Sequence, residues 1–343
     1  MISEYTNRQV SPNKDRSRNE NGNSSKRTDV GRRRKKTSIP RIPAKMVEKR
    51  QRRHFLLSFV LPLTVTTVWF CIFPSFGWID LLVISFMWTL TGGLGVSIGF
   101  HRYFSHRSFE ATPLLQFLMG AAGSMAGQGS ITYWVSLHRC HHQHSDHESD
   151  PHSPKPIRFE SPTLAQRIRA FMHGHMGWVL RHDVPSPKHF AHDCLRDSLI
   201  NFFDRTYSLW IAIGVLLPGL TLFFIENSLV ALGRGMIVGG CLRLLMGNQI
   251  IWAVNSLCHT AGDREFETKD SSTNNWLIVL LGFGEGWHNN HHAFPWSARF
   301  GFGRKQIDPG WAAIQLFSLL RLASRAKQPN GAQISKLKIH HPV

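Results

Sequence analysis

The sequence lacks the cysteine patterns of disulfide-rich proteins and of zinc ribbons. Its five cysteines are odd in number and contain no CxxC pair, so no disulfide framework is indicated and a reducing compartment fits. No apolar run follows the first charged residues, which argues against a cleaved signal peptide. No aromatic platform accompanies the basic run at 32–36, so we expect no nucleic-acid partner.

Positive charge is concentrated near the N-terminus. Residues 1–53 hold seventeen Lys and Arg against five Asp and Glu, which is +12 of the formal net charge of +18. Because this stretch is rich in Asn, Ser, Lys and Arg and poor in apolar residues, we expect residues 1–53 to be a disordered basic cytosolic tail. Residues 54–343 are then one membrane domain.

Long apolar segments predict membrane helices. A bilayer core needs about 20 apolar residues, and the first connecting loop contains no Lys or Arg. The positive-inside rule therefore places the basic tail in the cytosol. An even number of crossings then returns the chain to the cytosol, so we expect both termini on that side. Four segments meet the length requirement: Phe55–Phe73, Phe76–Phe100, Tyr207–Ile225 and Met236–Leu257.

Two features of these segments need a decision. Arg243 lies inside the fourth apolar run, so either it faces the protein interior or a cavity, or the span boundary is shifted. Leu114–Leu137 is uncharged and long enough to cross, yet it contains four glycines, Gln116 and Gln128. We expect it to be interfacial or re-entrant, because a crossing would separate His101 from His138 by about 30 Å and prevent them from sharing a metal site. Residues 143–203 are polar and proline-rich and predict a cytosolic cap.

Histidine spacing carries the chemistry. Two HxxHH triplets occur, at positions 138, 141, 142 and 288, 291, 292, and a looser pair occurs at 101 and 106. On a helix, residues at i, i+3 and i+4 project from one face. Imidazole suits iron, zinc, copper and nickel, and more histidines than one ion can use imply two ions. The expected fold class is an all-α integral membrane protein with four transmembrane helices and a cytosolic cap that holds a histidine-rich dimetal site.

In sequence order, four motifs resemble the histidine boxes of membrane fatty-acyl desaturases, above all the delta-9 type of bacteria, cyanobacteria and plants. The motifs are His101-Arg-Tyr-Phe-Ser-His106, Leu137-His-Arg-Cys-His-His142, Asn255-Ser-Leu-Cys-His259 and Gly284-Glu-Gly-Trp-His-Asn-Asn-His-His-Ala-Phe-Pro295. Shorter matches are Asp150-Pro-His-Ser-Pro154, His175-Met-Gly-Trp178 and Ser297-Ala-Arg299.

This resemblance implies a reaction and a ligand set. The reaction is insertion of a cis double bond, at the ninth carbon of a saturated C16–C18 acyl chain, with O2 and two electrons. The implied substrate is an acyl-CoA or an acyl-lipid, and the electron donor is a separate protein of ferredoxin or cytochrome b5 type. Two Fe ions would be held by His101, His106, His138, His141, His142, His259, His288, His291 and His292, with Asn255 acting through water.

Several alternatives stay open at the level of sequence. A histidine-box hydroxylase or ketolase would use a similar site but transfer oxygen, and a membrane metal transporter or sensor would place its ligands within the spans. Glu285 either hydrogen-bonds a ligand imidazole or is a helix-start charge. We expect Trp287 to be an interface anchor, the cysteines next to the histidine motifs to be apolar neighbours, and the unmatched histidines, including His152, His182 and His189, to lie at the surface.

Overall fold

The computed structural model describes residues 39–155, 159–180 and 182–339, and every structural statement below concerns these residues. The architecture is helical. In chain order the helices are α1 Ala44–Ile72, α2 Trp78–Ser105, α3 Pro113–Met125, α4 Ile131–His144, α5 Leu164–Met172 (continued by His173–Gly177 and Trp178–Leu180), α6 Pro187–Phe190, α7 His192–Arg196, α8 Ser198–Arg205, α9 Tyr207–Glu226, α10 Leu229–Leu257, α11 Trp276–Leu281, α12 His288–Ala293, α13 Pro309–Leu319 and α14 Gly331–Leu337.

Strands are confined to two antiparallel pairs of two-residue segments. β1 (Arg41–Ile42) pairs with β3 (Val184–Pro185), and β2 (Glu110–Ala111) pairs with β4 (Ala323–Ser324). The first pair ties the residues before α1 to the cap, and the second ties the C-terminal region to the loop after α2.

Helices α1, α2, α9 and α10 are long and apolar enough to cross a membrane. They match the four predicted spans, two of which overrun a helix end by one or two residues, so the predicted fold class is confirmed. Their outer faces expose large apolar side chains, among them Trp78, Leu209 and Phe224. Such faces are stable against lipid, whereas in water a surface of this size would be unfavourable.

The C-terminal part of α2, Thr89–Ser105, is wound more widely than an α-helix. At its end the backbone N–H of His106 donates to the carbonyl of His101 at 3.2 Å, an i to i+5 bond. This winding brings residues five apart towards the same side, and such turns are frequent at functional sites. It explains how the looser histidine pair can share a face. A Cβ on Gly95 would lie 2.3 Å from the backbone nitrogen of Gly123, so α2 and α3 pack backbone to backbone here.

The segment Leu114–Leu137 is broken, as its glycines suggested. α3 ends at Met125 and α4 begins at Ile131, and Gly127 and Gly129 in the turn have φ of 72° and 95°. Arg243, 1% exposed, donates to the carbonyl of Met125 at 2.9 Å and to that of Gly214 at 3.0 Å. Carbonyls at a buried helix end need donors. Arg243 therefore faces the protein interior, the first of the two alternatives, and caps the broken helix.

The structure differs from the predicted tail at residues 39–53. β1 pairs with the cap, and the segment Ala44–Phe55 is the helical start of α1. Gln51 is 7% exposed, and its Nε2 donates to the carbonyl of His182 at 3.0 Å. The expectation of disorder is wrong here. The residues that stabilise this segment lie more than a hundred residues away in sequence, and local composition carries no information about them. Residues 1–38 lie outside the described part of the chain.

The main core lies where α2, α3 and α4 meet the cap. Phe100, Met119, Ile131, Phe203 and Ile314 are each fully or almost fully buried there. They come from α2, α3, α4, α8 in the cap and α13. This packing fixes the end of α2 relative to α4, the two helices that carry the first histidine motifs.

Candidate metal centre

The nine predicted histidines converge into two groups that share no residue. Within each group the nitrogen atoms that could bind a metal lie within 4.8 Å of one another. The five-histidine group is His101, His106, His138, His142 and His291, and the four-histidine group is His141, His259, His288 and His292. Each group is supplied by at least three segments of the chain.

Neighbouring residues on one helix serve different groups. Successive α-helical residues point about 100° apart, so His141 and His142 on α4 diverge, and His291 and His292 on α12 do the same. Contacts between motifs close the groups. His106 Nε2 lies 2.7 Å from His138 Nε2, and His291 Nε2 lies 2.8 Å from that of His142. The first two histidine motifs therefore lie together in the structure, as expected.

The donor atoms fit divalent metal ions. Nε2 of His141 and Nε2 of His292 are buried without a hydrogen-bond partner, which is costly for a polar atom unless something binds it. Burial, and then repulsion between neighbouring imidazoles, lowers the pKa of His106, His138 and His142 well below 6.5. Neutral imidazoles with lone pairs facing one point are the ligands that iron or zinc takes up.

Four of the imidazoles are paired with a carboxylate. In each pair a carboxylate oxygen contacts the imidazole Nδ1, which fixes the tautomer with the proton on Nδ1 and leaves Nε2 free to bind a metal. The pairs are His141–Asp150 at 3.0 Å, His259–Asp146 at 3.1 Å, His292–Asp270 at 2.7 Å and His101–Glu285 at 2.5 Å. Three of the four pairs support the four-histidine group, so the two groups differ in their electrostatic surroundings.

The three aspartates were missed at the level of sequence. Asp146 is separated from His259 by 113 residues, so no spacing rule could pair them. Only Asp150 carried a signal, through the matched Asp-Pro-His-Ser-Pro motif. Burial would raise the pKa of Asp146, but the hydrogen bond and charge of His259 lower it to about 2. These carboxylates are ionised at neutral pH and acceptor-only, as the Nδ1–H groups require.

Glu285 contacts the imidazole of His101, not that of His288, its neighbour in sequence. Its other oxygen accepts from Ser97 Oγ at 2.6 Å. Arg102, fully buried, lies 3.8 Å from this oxygen, forms an ion pair with Asp308 at 2.9 Å and stacks over Phe300. This network of charged groups therefore fixes the orientation of the His101 ring through its Nδ1 atom.

A cavity of about 50 Å³ opens beside the two groups. Its walls include Asn255, the residue expected to act through water, together with Val96, Ile251 and Val254. Trp134 also lines it and stacks on His138, with ring centroids 4.8 Å apart and planes 21° from parallel. The cavity is thus lined both by apolar side chains and by residues of the two histidine groups, with Glu285.

Three sequence-based assignments change. His152 and His182, expected at the surface, are buried; the ring of His152 packs 4.6 Å from that of His141. Trp287, expected at the membrane interface, is 3% exposed and donates to the carbonyl of Ile307 at 2.8 Å. His182 accepts a hydrogen bond from Gln51, 131 residues away, and Trp287 donates across 20 residues, contacts that local pattern does not reveal. Cys140 and Cys258 are buried and belong to neither histidine group, as expected.

Comparison with known proteins bears directly on this site. The family described as Fatty acid desaturase matches residues 80–304. The chain is 34% identical over 291 residues (84% of this chain, 90% of the relative) to the hex-5-enoyl-(acyl-carrier protein) acetylenase of Moorena producens. It is 35% identical over 275 residues (78% and 92%) to the sn-1 stearoyl-lipid 9-desaturase of Anabaena variabilis. It is also 35% identical over 278 residues (78% and 80%) to the acyl-CoA C20 Delta5-desaturase of Anemone leveillei.

These matches cover most of the chain, include every histidine of both groups and agree with a membrane-helical fold built around clustered histidines. The chain belongs to the fatty acid desaturase family, a metal-dependent family of oxidoreductases.

Proposed function

We propose that this protein inserts a cis double bond at the ninth carbon of a saturated C16–C18 acyl chain, using O2 and two electrons at a centre of two Fe ions. The observation that carries the proposal is the division of nine buried or half-buried histidines into groups of five and four beside a cavity with apolar side chains in its wall. The ninth carbon is supported by the similarity to the Anabaena stearoyl-lipid 9-desaturase; other relatives are named for carbon 5.

One iron would be held by the five-histidine group and the other by the four-histidine group, with Asn255 adding a water-mediated contact. When bound, the pair supplies the oxidising power that removal of hydrogen from an unactivated methylene needs and that protein side chains do not have. The carboxylates behind the imidazoles keep the Nδ1 protons in place, so that Nε2 faces the ions.

The protein's own part is positioning. Val96, Ile251 and Val254 present apolar surface beside the histidines, where a methylene group is stabilised and water is disfavoured. Trp134, stacked on His138, lines the same cavity and would form a rigid part of the wall against the acyl chain. A narrow space of this kind restricts which carbon approaches the ions.

The acyl group would arrive on coenzyme A or on a glycerolipid, and electrons from a separate ferredoxin or cytochrome b5 type protein. Residues 54–343, with the ordered start of α1, form the desaturase domain, and both termini and the histidines lie on the cytosolic side. Cysteines placed near His106 and His144 test this topology in sealed vesicles. Labelling of the two from opposite faces would contradict it.

The decisive experiment is product analysis. The protein is expressed in a host without its own desaturase, with iron and a competent donor, and extracted lipids are analysed by mass spectrometry. Loss of two hydrogens with the bond at carbon 9 is expected. A gain of one oxygen would favour a hydroxylase or ketolase, and a bond at another carbon would refute the position alone. His291→Ala should abolish the product, while the exposed His189→Ala should not.

A further inference from the structure

A series of aromatic rings leads from the histidine groups to the protein surface. The ring centroid of Phe300 lies 4.5 Å from that of His291 and 5.3 Å from that of His101, both in the five-histidine group. Trp287 belongs to the same buried hydrophobic cluster as Phe300. The ring of Trp276 lies edge-on to that of Trp287, with centroids 4.6 Å apart, and Trp276 is 47% exposed. We call Trp287 and Trp276 the tryptophan path.

The inner end of the tryptophan path adjoins the four-histidine group as well. Trp287 directly precedes His288 in sequence, so one peptide unit joins the indole-bearing residue to a residue of that group. The Trp287 Nε1–H donates to the carbonyl of Ile307 at 2.8 Å, and the side chain is 3% exposed. A buried indole with its N–H satisfied has a fixed position. The path is therefore built against both groups.

The outer end of the path is reached by water. Trp276 and Trp287 line a recess of about 270 Å³. The charged residues in the wall of this recess are Asp263, Arg264, Glu265 and Lys338. Beside Trp276 on α11, Leu277 and Leu280 are exposed and apolar, a face that suits lipid, and tryptophan is enriched at such boundaries. Small water-soluble molecules can thus reach the Trp276 ring through the recess.

Indole chemistry decides in which situation the path can act. An indole ring gives up an electron readily to a strong oxidant but is very hard to reduce, so these rings are unsuited to store electrons on their way in from a donor. A metal pair that has reacted with O2 while no methylene group lies in the cavity is a strong oxidant without a substrate. The oxidisable groups next to it are the ligand imidazoles and Trp134, which stacks on His138. A cofactor enzyme needs a way to exclude such competing reactions.

We propose that the tryptophan path protects the histidine groups by supplying electrons to the metal centre when O2 reacts in the absence of substrate. The centre takes one electron from Trp287, and Trp287 takes one from Trp276. The carbonyl hydrogen-bonded to Trp287 is too weak a base to remove its proton, so the oxidised state moves outward.

The cycle closes at the surface. Trp276 releases its indole N–H proton to water and becomes a neutral radical. A small water-soluble thiol then returns one hydrogen atom to it, and two of the resulting thiyl radicals couple to form a disulfide. Each electron delivered to the centre thus comes from one thiol, with one proton released. This inference rests on the proposed function, because the oxidant is the O2-reacting iron pair.

The test uses the full-length, iron-loaded protein in nanodiscs, reduced with stoichiometric dithionite and exposed to O2 without acyl substrate. Freeze-quench EPR should show a tryptophan radical whose signal changes when the protein contains ring-deuterated tryptophan. Peptide mass spectrometry should find oxidation concentrated at Trp276, and glutathione should suppress it while forming its disulfide. Trp78, 71% exposed at the start of α2, is the internal reference. Equal oxidation of Trp78 and Trp276, or no tryptophan radical, would overturn the inference.

Matched variants give a second measurement. Trp276→Tyr keeps an oxidisable ring at the surface, and Trp276→Phe places a ring of nearly the same size there that is not readily oxidised. In the phenylalanine variant, oxidation of Trp134 and of the ligand histidines should rise severalfold, with loss of bound iron. The tyrosine variant and the control Trp78→Phe should behave as wild type. Equal damage in the two Trp276 variants would overturn the inference.

Desaturation is measured separately, with acyl substrate and electron donor present. The initial rate should be the same in wild type, Trp276→Phe and Trp276→Tyr, because the path is not used when a methylene group occupies the cavity. Normal desaturation without oxidation at Trp276 would overturn the inference and leave the proposed function standing. A tryptophan radical in a wild-type protein that desaturates no acyl substrate would refute the proposed function and leave the path standing.

Discussion

Replacing Asp270 with Asn should weaken metal binding in the four-histidine group and leave the five-histidine group intact. Asp270 Oδ2 lies 2.7 Å from His292 Nδ1, and its Oδ1 accepts from the backbone N–H of Ser272 at 3.0 Å. Asparagine can keep the second contact. It then presents an NH2 group to His292, and a donor facing the Nδ1–H favours the other tautomer, which has its proton on Nε2.

The magnitude follows from the number of supports. Loss of a hydrogen-bonded partner behind a ligating imidazole costs about 10- to 100-fold in metal affinity, or roughly 1.4 to 2.8 kcal/mol. The four-histidine group keeps Asp146 and Asp150, so its remaining imidazoles should stay oriented. Burial lowers the pKa of His292 to about 4 despite the opposing effect of Asp270, so the substitution acts through the tautomer, not through protonation at neutral pH.

The assay is iron stoichiometry. Purified protein is dialysed against graded chelator, and iron per chain is measured together with the Mössbauer spectrum. Asp270→Asn should lose one iron at about 10- to 100-fold less chelator than wild type. Glu285→Gln, behind His101, should lose the other. The exposed Glu110, which pairs with Arg325 and belongs to neither histidine group, is the control: Glu110→Gln should behave as wild type. Simultaneous loss of both irons in Asp270→Asn, or no change, would refute the reasoning.

Three further predictions concern stability and the tail. Asp308→Asn removes the ion-pair partner of the fully buried Arg102 and should lower the free energy of unfolding by about 3 to 5 kcal/mol, measured as a lower Tm. Glu110→Gln should change Tm little. An unchanged Tm in Asp308→Asn would show that Arg102 is satisfied without Asp308. Burial lowers the pKa of His182 from 6.5 to about 4, so the unfolded chain binds more protons than the native one between those values. Stability should therefore fall as pH decreases through this window, by about 1.4 kcal/mol per unit for this group, and His182→Gln should flatten the Tm profile; a Tm independent of pH would contradict this. Deletion of residues 1–38, which contain no residue of either histidine group, should leave insertion and product formation intact, and a correctly inserted protein without product would show that the segment takes part in the reaction.

Sequence alone indicated the spanning segments, and the resemblance of its histidine motifs to those of a known family supplied the expected donor set. Apolar length fixed four spanning helices, because the bilayer demands about 20 residues whatever the neighbours. Spacing fixed which histidines could share a helix face, because helical geometry is local. The need for His101, His106 and His138 to meet also predicted that Leu114–Leu137 does not cross as one helix, and the break after Met125 agrees.

Only the tertiary structure decided how these donors are used. The assignment of His141 to one group and His142 to the other depends on where α12 and His259 lie relative to α4, which no local pattern contains. The pairing of Asp146 with His259, the burial of Trp287 and the ordering of the start of α1 against His182 likewise join residues distant in sequence. Spacing along a helix is a property of the backbone, whereas the partner of a buried polar group is whichever donor or acceptor folding brings within hydrogen-bond distance.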